Sequence, residues 1–178
     1  MHTKNMKPVG VEKLGNRTVY CGPTAIAALI DVPVHKVNNK LLAVRRKRHL
    51  DWSLRMFGKI QPCDRKKARK MYIKGTHASD LRVIVRHYRK KDDLCQIYLE
   101  GMSSSKFRTL EDWIILPSSE GGPTAGVGYL VCVMNHWVAV KNDEILDTHS
   151  AGAPVKYHKH KFANRKVKKI YAVLAKGE

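Results

Sequence analysis

Three residues of the chain have the types that nucleophilic catalysis needs, in the order Cys21, His136 and Asp147. Cys21 opens Cys21-Gly22-Pro23-Thr24-Ala25-Ile26-Ala27-Ala28-Leu29-Ile30, His136 opens His136-Trp137-Val138-Ala139-Val140, and Asp147 closes Glu144-Ile145-Leu146-Asp147-Thr148. A cysteine at or just before a helix N-terminus feels the positive end of the helix dipole, which favours thiolate over thiol. An imidazole can share the thiol proton and later deliver it to a leaving group, while a carboxylate holds the ring in the useful tautomer. Each residue alone has a bland reading: a lone cysteine packs, a lone strand histidine is structural, and an aspartate caps a turn. The conjunction of roles points to catalysis.

The elements that must position these groups follow from local pattern. Pro23 is tolerated in a first helical turn, where its missing amide would have no partner, and Thr24-Ala25-Ile26-Ala27-Ala28-Leu29 continues a helix that Asp31-Val32-Pro33 breaks. A second helix is predicted from about Val34 to Arg46 on the stripe Val34, Val37, Leu41, Leu42 and Val44. A third follows Thr76 or Ser79 and extends to about His87. Residues 47–75 between them read as an irregular basic insertion with a short helix at Arg65 to Met71. Strands are predicted at Leu94 to Leu99, Tyr129 to Met134, His136 to Val140, Glu144 to Asp147 and Val167 to Ala175. Asn142-Asp143 makes the turn of a hairpin that sets His136 and Asp147 near the same end of adjacent strands. Trp137 then points to the opposite face as core, and Ser118 to Gly126 forms a mobile loop. Helices first and an antiparallel sheet afterwards make an α+β domain, with N-terminal helices packed on a C-terminal sheet.

With 178 residues, of which 43% are hydrophobic, the chain fits one domain over residues 1–178. No apolar run approaches the roughly 20 residues of a membrane span. Met1 to Pro8 lacks the apolar stretch of a secretory signal, so a reducing cytoplasm is expected. The four cysteines, Cys21, Cys63, Cys95 and Cys132, are expected as free thiols. Cys95 and Cys132 sit in apolar, strand-like runs as small buried hydrophobes. No Cys-x-x-Cys spacing suggests zinc, His158-x-His160 being the close pair outside the central segment, and no Gly-Lys-Ser/Thr ending suggests a phosphate loop.

A net charge of +19 and a pI near 10 form the second strong signal. It concentrates at about residues 45–91, in Arg45, Arg46, Lys47, Arg48, Arg65, Lys66, Lys67, Arg69 and Lys70, then Arg89-Lys90-Lys91, and again beyond Lys156. Such a field repels itself without counterions or a partner and attracts polyanions, with nonspecific nucleic acid or a negatively charged protein as partners. Zinc-finger spacing and aromatic-rich RNA-binding strands are absent, which argues against a sequence-specific reader.

At Cys21-Gly22-Pro23-Thr24, His136-Trp137-Val138-Ala139-Val140 and Asp147-Thr148 the chain resembles the papain-like cysteine peptidase superfamily, in particular peptidases that cleave bacteriocin leaders and small hydrolases of bacteria and their phages. The match covers roughly residues 16–30 and 128–148. The resemblance implies thiol-dependent cleavage of a peptide or related amide bond, with no metal or organic cofactor, on a peptide or protein substrate. It also implies a place in the host cytoplasm or the virion if the chain derives from a phage. Relatives commonly carry a glutamine about six residues before the cysteine as an oxyanion donor, whereas Gly15 stands there in this chain. Asn16, with the Cys21 backbone amide, is the nearest substitute, and Thr18 a weaker one. The alternative is a catalytically idle papain-like fold that binds nucleic acid or serves as a virion accessory.

Overall fold

The computed structural model describes residues 6–10, 13–14, 17–18, 21–71, 75–92 and 109–173. Helices occupy the N-terminal part and an antiparallel sheet the C-terminal part, as the α+β expectation requires. The chain begins with a short antiparallel pair, β1 (Lys13–Leu14) and β2 (Arg17–Thr18). Helix α1 (Cys21–Ile30) follows and is buried from Gly22 to Ala28. It stops because Asp31 turns left-handed at φ 52°, the Val32 amide closes back on the Ala27 carbonyl at 3.1 Å, and Pro33 cannot continue it.

Helix α2 (Val34–Phe57) runs well past Arg46, where the apolar stripe fades. Its arginines bind neighbouring elements, so the charged run continues the helix. Arg45 and Arg48 pair with Asp80 at 2.7 and 2.9 Å, and Arg46 donates to the carbonyls of Ala68 and Arg69 at 3.0 and 3.3 Å. Gly58, left-handed at φ 66°, ends α2. Helix α3 (Pro62–Arg69) starts at a proline and so begins ahead of the expected Arg65. Helix α4 (Ala78–Asp92) extends past His87 and carries Asp80 in its first turn. A further short helix, α5 (Leu110–Ile115), was not anticipated, and a capping box between Thr109 and Asp112 starts it.

The sheet contains β3 (Gly128–Val133), β4 (His136–Lys141), β5 (Glu144–Leu146), β6 (Val155–Lys156) and β7 (Val167–Val173), ordered β6-β5-β4-β3-β7 and antiparallel throughout. One face, with Leu130, Cys132, Trp137, Ala139 and Tyr171, packs on α1, α2 and α4. The other, with Val131, Val133, Val138, Val140 and Ile145, packs on Leu110 and Trp113 of α5. Both faces are covered, which is why β3 reads as an unbroken apolar run. The segment expected as a mobile loop is tied down instead: Trp113 donates to the Gly121 carbonyl, the Thr124 amide to the Tyr129 hydroxyl, and the Gly126 amide to Asn142. Among the described residues no helix is long and apolar enough to cross a membrane. The strand expected at Leu94 to Leu99, with Cys95, and Ala175 of the last strand lie outside the described residues.

Candidate active site

Cys21 is the first residue of α1, His136 the first of β4, and Asp147 the first residue after β5. The β3–β4 turn sets the position of His136. Met134 and Asn135 both have positive φ, 52° and 76°, in the two-residue turn that joins the paired Val133 and His136. Asparagine tolerates this conformation, whereas methionine is strained in it, so the strain sits directly beside the histidine. Ala139 pairs with Leu146, and one further step places Asp147 beside Val138, the diagonal neighbour of His136 on the same face. The hairpin geometry expected from Asn142-Asp143 is present, with Asn142 at φ 55°.

Asp147 is fully buried, and its Oδ2 lies 2.7 Å from Nε2 of His136. Its Oδ1 accepts hydrogen bonds from the backbone amides of His149 and Ser150 at 2.7 and 2.8 Å. The His136 side chain also interacts with the Cys21 thiol, and with Nε2 facing the carboxylate Nδ1 is the ring nitrogen free of Asp147. Burial pushes the Cys21 thiol up. The hydrogen bond and charge of His136, with hydrogen bonds from the Trp137 and Gly22 amides, outweigh it and leave the thiol below its ordinary value. Burial likewise opposes a charged His136, yet its bonds to Asp147 and Cys21 raise the ring to about 9. Burial would push the Asp147 carboxyl up, but contacts with His136 and His160 hold it far below the usual range. The three side chains thus favour a thiolate, an imidazolium and a carboxylate in a row.

The sequence reading missed a second layer. His160 is buried, and its Nε2 lies 3.2 Å from Asp147 Oδ1, in ion-pair range although poorly directed for a hydrogen bond. Its Nδ1 accepts the Phe162 amide at 3.3 Å, so Nε2 carries the proton that faces the carboxylate. The ring of His149 sits 4.7 Å from that of His136, and Phe162 lies 5.0 Å from His136. His149 is pushed down by burial and then by the charge of His136, and its Nδ1 is 3.1 Å from the Lys161 ammonium. The close pair His158-x-His160 was the available signal, but it does not show that one member folds back onto Asp147. His136, Asp147 and His149 place ligand-type atoms within 4.8 Å of one another. The 2.7 Å contact between His136 and Asp147 is shorter than the roughly 3.3 Å between neighbouring ligands of a tetrahedral ion, so the cluster is organised as a hydrogen-bond relay.

The other candidates fall into groups. Asn16, the expected oxyanion donor, and Tyr20 lie outside the described residues, as do the side chains of Arg17 and Thr18. Cys132 is a buried free thiol, pushed up by burial, and Cys63 is exposed. Of the basic residues, Arg45, Arg46 and Arg48 are committed to the contacts around Asp80 and α3. Lys47, Arg65, Lys66, Lys67, Arg69 and Lys70 are exposed and have no ion pair among the described residues. Compared with known proteins, the chain matches no protein family, no curated protein and no solved structure.

Proposed function

We propose that this protein is a papain-like thiol hydrolase that cleaves a peptide or related amide bond through Cys21, His136 and Asp147. One observation carries the reading: the His136 ring is held between the Cys21 thiol and, at 2.7 Å, the buried Asp147 carboxylate. The Cys21 thiolate attacks the carbonyl carbon, and the carbonyl electrons move onto oxygen. The Cys21 amide at the start of α1 stabilises that oxyanion. The intermediate collapses, the C–N bond breaks, and the His136 imidazolium gives its proton to the leaving amine. Neutral His136 then takes a proton from water, whose hydroxide attacks the thioester and releases the acid and the thiolate. Asp147 holds the ring so that one nitrogen faces sulfur throughout. The exposed cations of α2 and α3 add attraction for nucleic acid or an anionic protein, a recruiting role beside the chemistry.

Mass spectrometry after brief treatment with iodoacetamide at pH 7 tests the reading. Cys21 is expected to label first, ahead of the exposed Cys63, and His136→Ala to slow it by about tenfold or more as the thiolate fraction falls to a few per cent. Cys21→Ala should abolish turnover of a peptide library while the fold persists. Equal labelling of all cysteines would sink the proposal and leave an idle fold with a basic surface.

A further inference from the structure

Beside the Cys21–His136 pair lies a cavity of about 320 Å³, whose walls include Thr76, Cys132, Asn135, Trp137, Lys168 and Lys169. Three contacts tie it to the sulfur. The Trp137 amide hydrogen-bonds Cys21 while its side chain lines the cavity. Thr76 presses on Gly22, where a Cβ would come within 2.6 Å of the threonine side chain, and Trp137 Nε1 donates to the Thr76 carbonyl at 2.9 Å. Cys21 also packs against the core cluster that contains Cys132 and Trp137.

Cys132, Trp137 and two exposed lysines line the cavity, and a register shift in the sheet brings both lysines to it. Cys132 pairs with Lys169 but Val133 pairs with Val167, so Lys168 is an extra residue in β7 without a partner. In a regular strand Lys168 and Lys169 would point to opposite faces, whereas the bulge lets both line one cavity. Both are exposed, and Lys168 Nζ donates to Asn135 Oδ1 at 2.9 Å, which leaves hydrogens to spare. Among the described residues lining the cavity, two are lysines and none is a carboxylate. Its volume, near the lower end of the roughly 300–1,000 Å³ of ligand sites, suits one side chain rather than a large cofactor.

We propose that this cavity is a specificity subsite for a glutamate or aspartate side chain of the peptide substrate, its carboxylate paired with Lys168 and Lys169. The assignment rests on the thiol-hydrolase reading, and the test separates the two. Acetylated dipeptide chloromethyl ketones are prepared with Glu or with Gln at either position next to the warhead. Each reacts by displacement of chloride as the Cys21 S–C bond forms. Rates at Cys21 are read by mass spectrometry as the Glu-to-Gln ratio within each protein. A ratio of about ten is expected in the native protein, the scale of two part-exposed ammonium contacts, falling to about one in Lys168→Gln/Lys169→Gln. A ratio near one in the native protein, with Cys21 still selectively labelled by iodoacetamide, overturns the subsite and leaves the hydrolase reading standing. A Glu preference that survives in the double variant comes from the field of the whole basic protein and overturns the subsite as well. If iodoacetamide shows no selectivity for Cys21, both readings fall.

Discussion

Asp80 and Asp147 are both buried carboxylates, at 2% and 0% exposure, and the protein neutralises them in different ways. Asp80 takes two guanidinium groups, Arg45 and Arg48, at 2.7 and 2.9 Å, with a backbone amide from His77 at 3.2 Å. Asp147 takes two imidazoles, His136 at 2.7 Å and His160 at 3.2 Å, with amides from His149 and Ser150. Guanidinium stays protonated at any pH a protein experiences, so the first arrangement is a clamp and moves no proton. Imidazole can both give and take a proton, so the second has the groups that chemistry needs. The partners, more than the burial, separate a carboxylate held by fixed charge from one held by groups that can pass a proton.

The sharpest way to break this contrast is to remove each carboxylate in turn. Asp80→Asn leaves a part-buried Arg45 without its counter-charge and is expected to cost about 3 to 5 kcal/mol of stability, the scale for breaking a buried pair from one side. Urea unfolding measures it, with Cys21 labelling of the folded protein unchanged. Asp147→Ala should do the reverse to chemistry, lowering turnover on the order of 10² to 10⁴-fold as His136 loses its orienting partner. Equal losses of stability and reactivity in both variants would erase the distinction.

The His136–Asp147 contact was legible in the sequence and the Asp80 clamp was not, for reasons of range. Cys21 needs a helix start, and His136 and Asp147 need one hairpin, so each signal lies within a few residues of the group it positions. Pro23, Asn142 and the alternation around Trp137 carry that information. The Asp80 clamp joins α4 to α2 across more than thirty residues, and nothing local in Arg45-Arg46-Lys47-Arg48 tells a tethered arginine from a solvated one. That is why α2 was expected to stop near Arg46 and instead continues to Phe57. His160 and Phe162 were missed because a single 3-10 turn and irregular chain after β6 carry His160 to Asp147 and Phe162 to His136. Helix α5 did announce itself, in Thr109-Leu110-Glu111-Asp112, as a capping pattern that its brevity concealed.

The pH dependence of stability sharpens the comparison further. His136, raised to about 9, contributes stability that is complete below its ordinary value near 6.5 and is lost as pH rises through about 9. Cys21, lowered, contributes stability complete above its ordinary value of 9.0 and lost as pH falls through its depressed one. Where the two windows overlap, between the depressed Cys21 value and about pH 9, the two slopes oppose each other, because folding there moves a proton from sulfur to nitrogen without releasing any. Native protein should therefore hold a plateau there, while Cys21→Ala, which keeps the His136–Asp147 bond, should lose stability steadily over the same window. Unfolding midpoints at unit steps of pH decide it, and identical profiles would mean that no such pair exists in the folded protein.

The smallest effects expected lie among the cations themselves, where the same division between tethered and free charge recurs. Arg46 donates to two carbonyls of α3, so Arg46→Gln should cost about 1 to 2 kcal/mol of stability. Lys66 and Lys67 are exposed on α3, and their replacement by Gln should change stability by less than about 0.5 kcal/mol. Binding to a short DNA duplex should show the opposite order. The slope of log affinity against log salt should shallow by about 0.9 for each phosphate contact that a lysine makes, and far less for Arg46, whose guanidinium is already engaged. If Arg46→Gln instead flattens the salt dependence and leaves stability untouched, its carbonyl contacts do not hold in solution. The arginine run would then belong with the free surface charge, and the clamp on α2 would reduce to Asp80 and its two arginines.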